Sequence, residues 1–114
     1  MGNRVILIVA NEPSAGKEAE YNEWYSERHI PMMFRFQGMK RASRYRLASD
    51  SREASKYLAI YEFGSGKDLE EFTRSSEFAA AIEDFDEKWK DGGFENKWNA
   101  SYKLVKSWEK VESI

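Results

Sequence analysis

Val5-Ile6-Leu7-Ile8-Val9 is apolar without interruption and largely β-branched, the pattern of a strand covered on both faces. The loop-forming stretch NEPSAG, Asn11 to Gly16, then breaks it. Good helix formers run from about Ala15 to His29, and Pro31 disfavours helical geometry at Ile30, so the pattern predicts a helix that ends near His29. After a turn at Gly38, MKRASRYRLA (Met39 to Ala48) reads as a second strand and the polar ASDSREASK (Ala48 to Lys56) as a hairpin loop. YLAIYEF, Tyr57 to Phe63, is a third strand: Tyr57, Ala59, Tyr61 and Phe63 share one face, Leu58 and Ile60 the other. Neither face is polar.

Ser65-x-x-Asp68 or Asp68-x-x-Glu71 offers a cap for a helix beyond Gly64-Ser65-Gly66, where Leu69 and Phe72 form a short apolar edge. After Ser75-Ser76, Phe78, Ile82, Phe85 and Trp89 fall at i, i+4, i+7 and i+11, a helix with one buried stripe. Gly92-Gly93 can close it through a left-handed cap. YKLVKSW, Tyr102 to Trp108, alternates as a fourth strand.

The order is β-α-β-β-α-β, so residues 1–114 are expected to form a single α+β domain of ferredoxin-like architecture. Right-handed crossovers turn that order into a four-stranded antiparallel sheet with two helices on one face. Two helices leave the other face bare, although the first and third strands are apolar on both. A second copy packing sheet to sheet about a two-fold axis is the simplest cover, which predicts a homodimer closed into an α/β barrel.

Charge narrows the function. The 18 basic and 20 acidic residues give a net charge of -2 with no long block of one sign, an unpromising surface for nucleic acid. The RNA-recognition module shares the element order, but its strand motif needs glycines that YLAIYEF lacks. With no cysteine and one histidine, disulfides, thiolate nucleophiles and the usual His- or Cys-rich zinc sites within one chain are ruled out. No metal or cofactor is expected, with a haem on a single axial histidine as the minor alternative. The apolar run Val5 to Ala10 is too short to span a membrane and lacks signal-peptide features, so a soluble, cytoplasmic protein is expected. Aromatics make up 15% of a chain that is one-third charged, which suits an aromatic-lined interior.

His29 is the one side chain whose ordinary pKa lies near neutrality, as reversible proton transfer needs. It follows Tyr25 by four residues and Asn22 by seven, so all three are expected along one side of the helix. The competing reading is a helix C-cap, where a histidine bonds orphan carbonyls. Tyr21 and Trp24 read as core. On the second strand Arg44 can supply a fixed cation and Tyr45 a hydroxyl to a developing oxyanion, and Tyr61 on the third strand offers the same. For Arg44 the alternative is solvent or an acidic partner across the sheet. Met32, Met33, Phe34 and Phe36 form an adaptable apolar segment after Pro31.

The stretch N-x-W-Y-x-x-x-H-I-P from Asn22 to Pro31, with Gly38, RASRYRL and KYLAIYEF, resembles the dimeric α/β-barrel superfamily, and within it the EthD-like and antibiotic-biosynthesis-monooxygenase-like small proteins. The resemblance covers about Val5 to Trp108. It implies a ferredoxin-like protomer, homodimerisation through the sheets and a hydrophobic cavity between helices and sheet. It also implies a cofactor-free oxygenase, isomerase, cyclase or dehydratase acting on an aromatic or polyketide-like molecule, or a non-catalytic binder of a small hydrophobic ligand. In that setting His29 is the candidate base, and Asn22, Tyr25, Arg44, Tyr45 and Tyr61 are the candidate substrate-binding residues.

Overall fold

A computed structural model describes residues 3–111. Strand β1 (Val5–Pro13) is followed by α1 (Glu18–Trp24), a π-helical turn (Tyr25–His29) and α2 (Ile30–Phe34), which run end to end. Strands β2 (Met39–Arg46) and β3 (Tyr57–Phe63) form a hairpin. The second crossover holds α3 (Gly66–Thr73) and α4 (Ser76–Lys88) and leads to β4 (Phe94–Lys103). The sheet is antiparallel in the order β2-β3-β1-β4, the ferredoxin-like arrangement that the element order predicts.

Register explains which residues face the helices. Val5, Leu7, Val9 and Asn11 stand opposite Phe63, Tyr61, Ala59 and Tyr57, and the four β3 residues are all buried, as their parity predicts. The core joins them to Tyr21, Trp24, Tyr25, Met33, Met39, Phe72, Ala81 and Trp89. On the opposite face Ile6, Ile8, Leu58 and Ile60 are half-buried, while Tyr45, Trp98 and Tyr102 are 55%, 44% and 53% exposed. Among the described residues no helix is long and apolar enough to cross a membrane.

Three boundaries differ from the sequence reading. The first helix does not end at His29: Ile30 is helical (φ -62°, ψ -46°) and helix continues to Phe34. Proline normally costs an intrahelical bond and clashes with the carbonyl four residues earlier. Here the turn before Pro31 is widened, the Ile30 N–H reaching back to the Tyr25 carbonyl, and such a bulge accommodates the ring. Strand β1 runs on through Asn11 to Pro13, because β4 and, as far as Asn11, β3 continue to pair with it. The fourth strand is Phe94–Lys103, not Tyr102 to Trp108. Its partner β1 begins at Val5, opposite Lys103, and one further bond from the Leu104 N–H to the Arg4 carbonyl (2.7 Å) ends the pairing, so the alternating residues beyond have no strand to join.

The caps behave as expected. Ser65 accepts from the Asp68 N–H at 3.2 Å at the start of α3. Gly92 and Gly93 follow α4 with φ +84° and +145°, and a Cβ on Gly93 would sit 2.3 Å from the Trp89 ring, so this closure accepts only glycine.

Candidate functional site

A cavity of about 260 Å³ lies between the helices and the sheet. The strands supply Leu7, Val9, Asn11, Tyr61, Asn96 and Asn99, the first crossover Tyr25, His29 and Met33, and the second Phe72, Phe78, Ile82 and Phe85. Exposed Ile82, Asn96 and Asn99 mark its open side. A larger open hollow of about 380 Å³ lies outside Trp24, among Glu20, Glu23, Glu27, Arg28, Asp84 and Lys88. Arg28 bridges to Asp84 and Lys88 to Glu20 there, so it is a charged surface with its bases satisfied by acids.

His29 is buried in the cavity wall. Its ring stacks on the Trp24 indole (centroids 4.5 Å apart, planes at 20°) and meets the edge of Tyr25 at 4.9 Å. Nδ1 is sealed from water and has no hydrogen-bond partner. Burial disfavours the imidazolium and lowers its pKa to about 4, the more distant Asp84 carboxylate pulling weakly the other way. At neutral pH the ring is therefore uncharged. Asp84 is held behind the indole, accepting from Trp24 Nε1 at 3.1 Å and Arg28 Nε at 2.8 Å. His29 does not cap a helix, because the chain stays helical on both sides of it.

Beside His29 the Tyr25 and Tyr61 hydroxyls lie 3.2 Å apart. Burial raises both phenol pKa values, so both stay protonated. In such a pair one hydroxyl donates to the other, whose own proton remains to be given elsewhere. An amide chain adjoins them: Asn96 Nδ2 donates to Asn11 Oδ1 (3.0 Å) and Asn99 Oδ1 (2.9 Å), and Asn11 Nδ2 donates to the Tyr21 hydroxyl (2.9 Å).

The fold thus brings His29, Tyr25 and Tyr61 together and places the other three candidates elsewhere. Asn22 does not share their side. The π turn after Trp24 inserts one residue into the helical phase, a rotation of about 100°. Asn22 instead bonds the Tyr57 hydroxyl (2.9 Å) and accepts from Arg44 Nη2 (2.8 Å). Arg44 also donates to Ser26 Oγ (2.7 Å) and sits 5.0–5.5 Å from the Tyr21, Tyr25 and Tyr57 ring centroids, a cation–π clamp outside the cavity lining. Tyr45 lies on the helix-free face. Asn11, Asn96 and Asn99 escaped the sequence reading. Asn11 carried a usable signal, an amide at the inward parity of Val5, Leu7 and Val9; Asn96 and Asn99 lie in a strand whose polarity hid it.

A model of the DUF4286 family, a domain of unknown function, matches residues 4–97. The chain belongs to the DUF4286 family. No curated protein matches this DUF4286 domain. Among solved structures it resembles HapK from Hahella chejuensis (TM-score 0.71, 10% identity, 95% of this chain and 99% of that one). It also resembles SnoaB from Streptomyces nogalater, a cofactor-independent oxygenase (TM-score 0.70, 12% identity, 96% and 100%). A third is an EthD-family protein from Bacillus halodurans (TM-score 0.62, 12% identity, 86% and 96%). At these identities the likeness is one of fold, and the fold is the EthD-like one that the stretch from Asn22 to Pro31 and the strand patterns suggested.

Proposed function

We propose that this DUF4286 domain binds a small hydrophobic molecule in the cavity and removes a proton from it, with His29 as the base and Tyr25 and Tyr61 as donors to the substrate oxygen. The observation that carries this reading is an uncharged, unpartnered imidazole beside two protonated hydroxyls in the wall of an apolar cavity. A buried polar atom without a partner costs about 1–3 kcal/mol, a cost usually maintained for a use. Nδ1 is the sealed nitrogen, which leaves Nε2 to meet the ligand.

In the proposed step a C–H bond beside a carbonyl, or a phenolic O–H, breaks and an N–H bond forms on His29. The electron pair passes to the substrate oxygen, where the spare tyrosine proton stabilises the enolate or phenolate. A base whose conjugate acid has a pKa near 4 does not hold that proton against water, but the new anion forms beside the imidazolium in an apolar wall and pairs with it. Return of the proton at another carbon gives isomerisation, loss of hydroxide gives dehydration, attack on a second carbonyl gives cyclisation, and reaction with dioxygen as oxidant gives oxygenation. The oxygenase SnoaB, which has this fold, favours the last. The molecule works as a cytoplasmic homodimer in this reading, its helix-free faces packed together around Tyr45, Trp98 and Tyr102.

The test needs no known substrate. Aryl ketones and phenols incubated in D2O should exchange acidic C–H protons faster with the protein, and His29→Ala should slow that exchange about a hundredfold or more. Equal exchange with both proteins sinks the base assignment. Uptake of a ligand without exchange favours a pure binding protein.

A further inference from the structure

Resting on the reading of this cavity as a ligand site, we infer that its occupant is an uncharged aromatic molecule of one or two rings that carries both a hydroxyl and a carbonyl-type oxygen. Three independent features of the lining set these limits.

None of the cavity-lining residues is a Lys, Arg, Asp or Glu. The nearest bases and acids are already committed: Arg44 to Asn22 and Ser26 outside the lining, Asp84 to Trp24 and Arg28 behind the indole. A carboxylate, phosphate or ammonium group inside would have no counter-charge, and an unpaired buried charge is the most expensive group to desolvate. A charged ligand is therefore refused.

Size sets the second limit. A cavity of about 150 Å³ holds one benzene ring. The roughly 260 Å³ here holds a substituted ring or two fused rings, and a third ring would have to project past Ile82, Asn96 and Asn99 into water.

The third limit is the division of the walls. The second crossover contributes only Phe72, Phe78, Ile82 and Phe85, an aromatic and aliphatic surface suited to a flat ring. The polar atoms all come from the sheet and the first crossover. There the Tyr25–Tyr61 pair keeps one hydroxyl proton to donate, which calls for an acceptor oxygen, and His29 Nε2, the nitrogen that is not sealed, calls for a donor in the tautomer that the base role requires, with the ring proton on Nδ1. A hydroxyl and a carbonyl on one small ring system answer both.

The experiment titrates the wild-type protein with three probes and follows cavity resonances by NMR and heat by calorimetry. The probes are hydroxytetralone (two rings, neutral, hydroxyl and ketone), naphthoate (two rings, anionic) and dithranol (three rings, neutral). Hydroxytetralone should bind at least tenfold more tightly than either of the others, shifting His29, Phe78 and Phe85. Tyr25→Phe with Tyr61→Phe should narrow its advantage about tenfold while leaving the fold intact. Naphthoate or dithranol binding as tightly as hydroxytetralone overturns the ligand class and leaves the cavity standing as a site. No binding by any probe, or shifts confined to the outer surface, overturns both.

Discussion

His29 shows how burial changes what a side chain can do. An exposed histidine near pKa 6.5 shuttles protons freely, whereas this one, stacked on Trp24 with a sealed Nδ1, resists protonation until about pH 4. The linkage has a definite sign. Above pH 6.5 folded and unfolded states both hold a neutral ring, and nothing is lost. Between pH 6.5 and 4 the unfolded chain takes up a proton that the folded one refuses, so stability falls as pH falls. From pH 7 to pH 5 this histidine alone should remove about 2 kcal/mol. Urea denaturation at the two pH values checks it, with His29→Phe expected to lose little over the same interval; an equal loss in that variant assigns the pH effect to other groups. That His29 lies among aromatics was legible from its place in the chain, the one histidine beside Trp24 and Tyr25. Its neutral state was not, because desolvation depends on Trp24, Phe85 and Tyr25 closing around it in space.

Elements were most legible where period and capping agree. YLAIYEF occupies Tyr57–Phe63 with the inward face its parity assigns, since alternation in a central strand is a direct print of burial. Ser75 is a cap that only the structure reveals. Its hydroxyl accepts from the Phe78 N–H at 3.1 Å and donates to the Phe72 carbonyl at 2.7 Å, so one side chain ends α3 and starts α4. Ser75→Ala should cost about 1–2 kcal/mol, read as a lower denaturation midpoint. A midpoint unchanged from wild type would show that solvent replaces both bonds. The first crossover and β4 misled because neither is governed by its own residues. Pro31 ends a helix only when the turn before it is ordinary, and FENKWNASYK is a strand because β1 offers an unpaired edge, although its own pattern is polar.

At the scale of the molecule the bare sheet face dominates. Tyr45, Trp98 and Tyr102 surround a floor of Ile6, Ile8, Leu58 and Ile60, an apolar face that no helix covers. A homodimer should sediment at about twice 13.3 kDa, and Tyr45→Glu with Tyr102→Glu should return it to the monomer mass with its circular dichroism unchanged. Both residues are more than half exposed, so the substitutions spare the core. A wild-type protein that sediments as a monomer, or a double variant that stays dimeric, removes that face as the interface. The amino-acid sequence by itself determined the order of elements, the faces of β3 and the surplus of apolar surface, because these follow from periods of two and 3.6 along a local stretch. Only the tertiary structure decided that a π turn carries His29 away from Asn22 while leaving it beside Tyr25, and that Tyr61, Asn11, Asn96 and Asn99 converge there. Those meetings join residues far apart in the chain, whose proximity depends on strand register and helical phase, which no local pattern records.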